Sequence, residues 1–60
     1  MSSKAKLKKA LSSIDDATTA LRRAMQNADA SATIYLRRAL SDLDDAESGI
    51  KHAIRALPND

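Results

Sequence analysis

Two pairs of adjacent aspartates are the residues that could support acid–base or metal chemistry. They are Asp15-Asp16 and Asp44-Asp45, and the one histidine is His52. General acid–base catalysis needs groups that converge on one substrate atom. Neighbouring residues on a helix point about 100° apart, so each aspartate pair diverges. The chain has no cysteine, and a single histidine does not make a metal site. We therefore predict a non-enzymatic protein with no catalytic residue, no metal and no cofactor.

Four arginines near the middle of the chain form a second group of chemical interest. They occur as Arg22-Arg23 and Arg37-Arg38. The planar guanidinium group binds phosphate and carboxylate oxygens in pairs, so nucleic acid or an acidic protein surface could bind there. Aspartates follow one heptad away, and Tyr35 is the one aromatic residue that could stack on a base. Nucleic-acid binding is therefore the less favoured of the two.

Composition places further bounds on function and location. The 10 basic and 8 acidic residues give a formal charge of +2, whereas a nucleic-acid-binding domain usually concentrates more positive charge on one face. The lysine-rich start is not followed by the apolar segment of a signal peptide. The longest run of large apolar residues, 34–36, is too short to span a membrane. We expect a soluble, cytoplasmic protein without a membrane partner.

Most of the chain repeats one unit. Residues 36–47, LRRALSDLDDAE, echo residues 7–18, LKKALSSIDDAT. We read residues 1–60 as one domain built from two similar helical units, about 7–26 and 36–55. Large aliphatic residues recur in steps of three, four and seven, which predicts two amphipathic helices. These residues form the predicted association face: Leu7, Leu11, Ile14, Leu21, Met25, Leu36, Leu40, Leu43, Ile50, Ile54 and Leu57.

The heptad pattern indicates how these helices pack. With Leu7 at position d and Leu11 at position a, alanines occupy position g in both units, and charges occupy e and f. An apolar face of a, d and g is wider than the seam of a two-stranded coiled coil and is typical of a helical bundle. In an antiparallel pairing the flanking e positions bring like charges together: basic, then acidic, then basic.

The segment between the units favours a chain reversal. Asn27, Asp29 and Ser31 are better caps and turn formers than helix-interior residues. Pairing residues whose numbers sum to 61 joins every a layer to a d layer and centres the turn between Ala30 and Ser31. We predict an all-α antiparallel two-helix hairpin, with a helix over about 4–27, a turn over about 28–31, and a helix over about 32–57 that ends before Pro58.

One continuous helix is the alternative. A shift of 29 residues rotates a helix by only about 20° beyond eight full turns, so the apolar stripe stays in phase through both units. No glycine or proline between the units forbids this conformation.

A hairpin of this size needs further stabilisation. Without disulfides or a metal, oligomerisation is the remaining means. We expect two hairpins to share their apolar faces as a homodimeric four-helix bundle, or one hairpin to bind a helical partner as a small regulator or adaptor. This architecture resembles that of the Rop family, dimeric helical hairpins that bind plasmid RNA. The resemblance lies in length and pattern. It implies an alternative function, RNA or DNA binding through the arginines, and transfers no individual residue.

Three residues stand out against the heptad pattern. Glu47 occupies an a position, where a carboxylate could set packing specificity, act in acid–base chemistry, or reach out to solvent. Ile34 and Tyr35 fall off the stripe, beside the arginines, and either contact a partner or cover the end of the core. The predicted partner-binding residues are therefore Arg22, Arg23, Ile34, Tyr35, Arg37 and Arg38.

Overall fold

A computed structural model describes residues 2–58 as two α-helices joined by residues 26–29. Helix α1 spans Ser3–Met25 and helix α2 spans Ala30–Ala56. The two helices pack against each other. The predicted all-α hairpin is confirmed, and the alternative of one continuous helix is wrong.

The turn lies earlier than the predicted 28–31. The N–H groups of Gln26, Asn27 and Ala28 donate to carbonyls three residues back, at 3.2, 3.2 and 3.3 Å. This tighter hydrogen-bond spacing closes α1 at Met25. Ala30 and Ser31, where the pairing arithmetic centred the turn, lie instead in the first turn of α2. The individual layer pairs that sum to 61 stay a prediction.

Asp29 fixes the start of α2. Its Oδ1 accepts a hydrogen bond from the backbone N–H of Ala32 at 3.0 Å and another from the Ser31 hydroxyl at 2.8 Å. The Asp29 carbonyl accepts from the Thr33 hydroxyl at 2.9 Å. Of the three candidates, Asp29 is therefore the N-cap, and the Ser31 hydroxyl supports it. The same two donors, Ala32 and Ser31, lower the pKa of the Asp29 carboxyl below its usual value.

The outer ends of the helices are closed by local interactions as well. Ser2 caps α1, with its Oγ accepting from the N–H of Ala5 at 3.1 Å. At the other end, the N–H of Leu57 donates to the Ala53 carbonyl at 3.1 Å. Leu57 itself is extended, with φ −78° and ψ 141°. This is the conformation expected of a residue before proline, so Pro58 ends α2 as predicted.

The burial pattern identifies the face along which the helices meet. All eleven large aliphatic residues of the association face are half-buried, as are Thr18 and Glu47, which interrupt the stripe. The e and f positions between Lys8 and His52 are exposed. The a and d positions therefore form a continuous seam between α1 and α2.

The Asp29 cap gives a pH prediction. Because its pKa is lowered on folding, the carboxylate stabilises the hairpin above its usual pKa of 3.8, and this contribution is lost as pH falls through the lower folded-state pKa. Asp29→Asn keeps a capping side chain that does not titrate. We expect the wild type to be more stable than this variant at pH 7, and the difference to shrink below pH 3.8.

Urea unfolding followed by circular dichroism at several pH values measures this difference. The two proteins differ at one residue, so the difference between them reports on the Asp29 side chain. A difference that stays constant down to pH 2 would contradict the assignment of the cap.

Candidate association surface

The seam is covered on one side only. The chain exposes 4555 Å² of surface. A compact monomer of 6.5 kDa is expected to expose about 3,800 Å². In a two-helix pair each seam residue contacts the opposite helix while the flanks of the seam stay open. The apolar surface that a larger domain would bury is therefore still accessible here.

The Glu47 backbone lies in the seam, but its carboxylate points away from it. Its Oε1 lies 3.0 Å from Nζ of Lys51, one turn further along the same helix, and the side chain is 28% exposed. The carboxylate thus reaches along α2 toward solvent rather than across to α1. A pair at this spacing contributes about 0.3–0.5 kcal/mol. At the Glu47 position the seam therefore has a weak surface ion pair in place of an aliphatic contact.

The four arginines are exposed on the surface of the hairpin. Arg22 and Arg23 lie in the last turn of α1, where positive charge is favoured by the helix dipole. Arg37 and Arg38 follow about two turns after the start of α2. Among residues 2–58, none of the four forms an ion pair. Their charge is therefore available to a partner.

The residues considered for acid–base or metal chemistry lie on the exposed surface. Asp15-Asp16 and Asp44-Asp45 are exposed. His52 is also exposed, and its Nδ1 donates to the Ser48 carbonyl at 2.7 Å. Residues 2–58 contain no cluster of three or more histidines or carboxylates suited to a metal and no enclosed cavity.

Ile34 and Tyr35 are the most exposed large apolar side chains. They are 70% and 75% accessible in the second turn of α2. They do not cover the end of the seam, which was one of the two interpretations of their position. Since they are neighbours on a helix, they point to different flanks of the hairpin.

A band of small residues runs beside the seam at the c and g positions. The a, d and g pattern predicts only its g positions. Positions c and g lie about 40° apart on a helix, so they form one flank. At c, as at g, small residues predominate. We call the combined set the small-residue flank: Ala10, Ser13, Ala17, Ala20 and Ala24 on α1, with Ala39, Ala46, Gly49, Ala53 and Ala56 on α2.

Most of the small-residue flank is accessible in the hairpin. Ala10 and Ala39 are half-buried, and the other members are exposed. A methyl group added at Gly49 would have no neighbouring atom within 4 Å. The flank that best permits close approach of another helix is thus unoccupied along most of its length.

No known family, curated protein or solved structure matches this chain. No helix among residues 2–58 has the length and apolar character needed to cross a membrane. The likeness to the Rop hairpins accordingly rests on length and helical pattern alone.

Replacing Glu47 tests whether its position belongs to the apolar seam. Glu47→Leu restores an aliphatic residue at an a position, and we expect it to raise the free energy of unfolding by about 1–2 kcal/mol through apolar burial. Glu47→Gln is the control, because leucine, glutamine and glutamate have similar helix propensities. Chemical denaturation measures both. If Glu47→Leu is no more stable than Glu47→Gln, this layer does not belong to the apolar seam.

Proposed function

We propose that the protein is a non-enzymatic protein–protein interaction module that binds through its seam. Helices of another polypeptide, either a second copy or a helical partner protein, complete the half-covered core. In this role the chain acts as a small regulator or adaptor. The observation that carries the proposal is a seam of eleven large aliphatic residues, each still half-buried, running along both helices.

The energetics support association. A large aliphatic side chain contributes about 1.5–3 kcal/mol when it is fully buried. A half-buried residue gains only part of this within the hairpin and can gain the rest from a partner. Ordering the backbone costs about 1–2 kcal/mol per residue, so a chain of this size has little surplus on its own. Binding therefore stabilises the fold, and the melting temperature rises with the concentration of the partner.

Two neighbouring substitutions separate the seam from the rest of α2. Leu40→Asp places a carboxylate in the seam, whereas Ser41→Asp places one on the exposed surface. We expect Leu40→Asp to cost at least about 2 kcal/mol in association or folding free energy. Ser41→Asp should lie within about 0.5 kcal/mol of wild type. Light scattering and thermal melts over a concentration series measure both effects.

The same series can reject the proposal. A wild-type chain that is monomeric at every concentration, and that still has the stability of an ordinary domain, about 5 kcal/mol or more, needs no partner for its seam.

A second function is favoured by the guanidinium groups of the arginines. Exposed and without ion pairs among residues 2–58, they could bind the phosphates of RNA or DNA, as the resemblance to Rop hairpins implies. If so, RNA or DNA is retarded at low salt, and binding weakens steeply as salt rises. Arg22→Ala with Arg37→Ala abolishes the retardation. Lys8→Ala with Lys9→Ala, a control that removes the same charge elsewhere on α1, preserves it. Absence of retardation at low salt eliminates this function.

A further inference from the structure

The hairpin has two long sides of different chemistry. Since α1 and α2 run antiparallel with their seams facing, an approximate two-fold axis normal to the plane of the hairpin relates them. Such an axis keeps equivalent flanks of the two helices on the same side. One side therefore carries the charged e positions of both helices, and the other carries the small-residue flank of both.

The charged side is poorly suited to receive another helix. It presents Lys8, Asp15 and Arg22 on α1, and Arg37, Asp44 and Lys51 on α2. Covering these charges would remove them from water, a cost that is recovered only when each finds an opposite charge in good geometry. The small-residue side carries two charged c positions, Lys6 and Asp42, and the exposed Tyr35 at a third. Its remaining positions are alanine, serine and glycine.

The size of the missing contact fits a second hairpin. Two separate copies expose twice 4555 Å². A compact protein of twice the mass is expected to expose about 6,300 Å², so the dimer would need to bury about 2,800 Å² in total. Interfaces of obligate homodimers bury about 2,000–5,000 Å² in total, which includes this area.

A second copy offers a matching surface. A two-fold dimer joins the same patch on both subunits, so the patch must be complementary to itself. Because the two helical units are similar, α1 and α2 both carry alanine at every equivalent g position: Ala10, Ala17 and Ala24 on α1, with Ala39, Ala46 and Ala53 on α2. A copy turned end for end therefore presents alanine layers to alanine layers, at the same heptad spacing and over the same length.

Gly49 is explained by a close helix–helix contact. Glycine inside a helix is about 0.8–1.0 kcal/mol less favourable than alanine. Within the hairpin nothing lies near the position of a Gly49 side chain, so the hairpin alone does not require glycine there. A helix of a second copy packed on this flank would come close to the backbone at Gly49, where the lack of a side chain allows it.

We propose that a second copy of this chain docks on the small-residue side, so that two hairpins form an antiparallel four-helix bundle. This inference rests on the proposed function and specifies its partner and its surface. The seams of both hairpins then face a shared core, and the charged sides remain on the outside of the bundle.

The test places one large side chain on each side of α2. Gly49→Leu fills the small-residue side, and Ser41→Leu adds the same side chain at an exposed position on the charged side. Both substitutions improve helix propensity, so neither should unfold the hairpin. We expect Gly49→Leu to weaken the dimer at least about fivefold, because a large side chain overpacks a close helix–helix contact. Ser41→Leu should change the dissociation constant by less than about threefold.

Sedimentation equilibrium measures the dissociation constants, and circular dichroism at low concentration checks that each monomer is helical. A second variant, Ala17→Gln with Ala46→Gln, enlarges the same side at exposed alanines and should weaken the dimer in the same way. Agreement between the two variants supports the small-residue side as the interface.

Four results would overturn the inference. Equal dimerisation by Gly49→Leu and Ser41→Leu removes the small-residue side from the interface. Weakening by Ser41→Leu alone places the second copy on the charged side. A wild-type monomer that is poorly folded excludes the second copy but leaves the proposed function intact, with a helical partner in its place. A wild-type monomer with the stability of an ordinary domain excludes both.

Discussion

Two helices cannot surround an apolar side chain, and the rest of this structure follows from that constraint. In a pair of helices each seam residue has a partner in front and open flanks beside it. The protein places eleven large aliphatic residues in this situation and leaves all of them half-buried. Its stability is therefore tied to what covers the flanks, and an account of its function begins with the surface that lies open.

The turn between the helices needs no unusual backbone conformation. No residue in the described chain adopts a positive φ angle, and residues 26–29 contain neither glycine nor proline. The reversal instead depends on polar side chains at the start of α2, chiefly the Asp29 carboxylate and the Ser31 hydroxyl. The hydrogen bonds of residues 26–28 end α1, and the Asp29 capping bonds begin α2.

The sequence predicts the long apolar seam, but it does not predict the position of the turn or the extent of the small-residue flank. The half-buried positions between Leu7 and Leu57 are predictable because regular spacing over about three heptads in each unit defines one helical face. The turn was placed about two residues late, since Asp29 and Ser31 are equally good caps by residue type and only backbone geometry distinguishes them. Alanine and glycine add little to an apolar pattern, so the pattern does not predict that the c positions extend the small-residue flank. The Glu47–Lys51 pair was visible in its spacing of four, yet its exposure to solvent depends on the packing of the seam.

The two helical units are spaced so that their apolar stripes would lie on nearly the same face of one continuous helix. Because the stripe would continue almost unrotated if residues 26–29 became helical, an opened chain would present the same seam as the closed hairpin. Two opened chains could then exchange helices, each supplying the α2 that covers the other's α1, with the seam contacts retained. The closed and exchanged forms thus differ mainly at residues 26–29, where the Asp29 capping bonds stabilise the turn of the closed form.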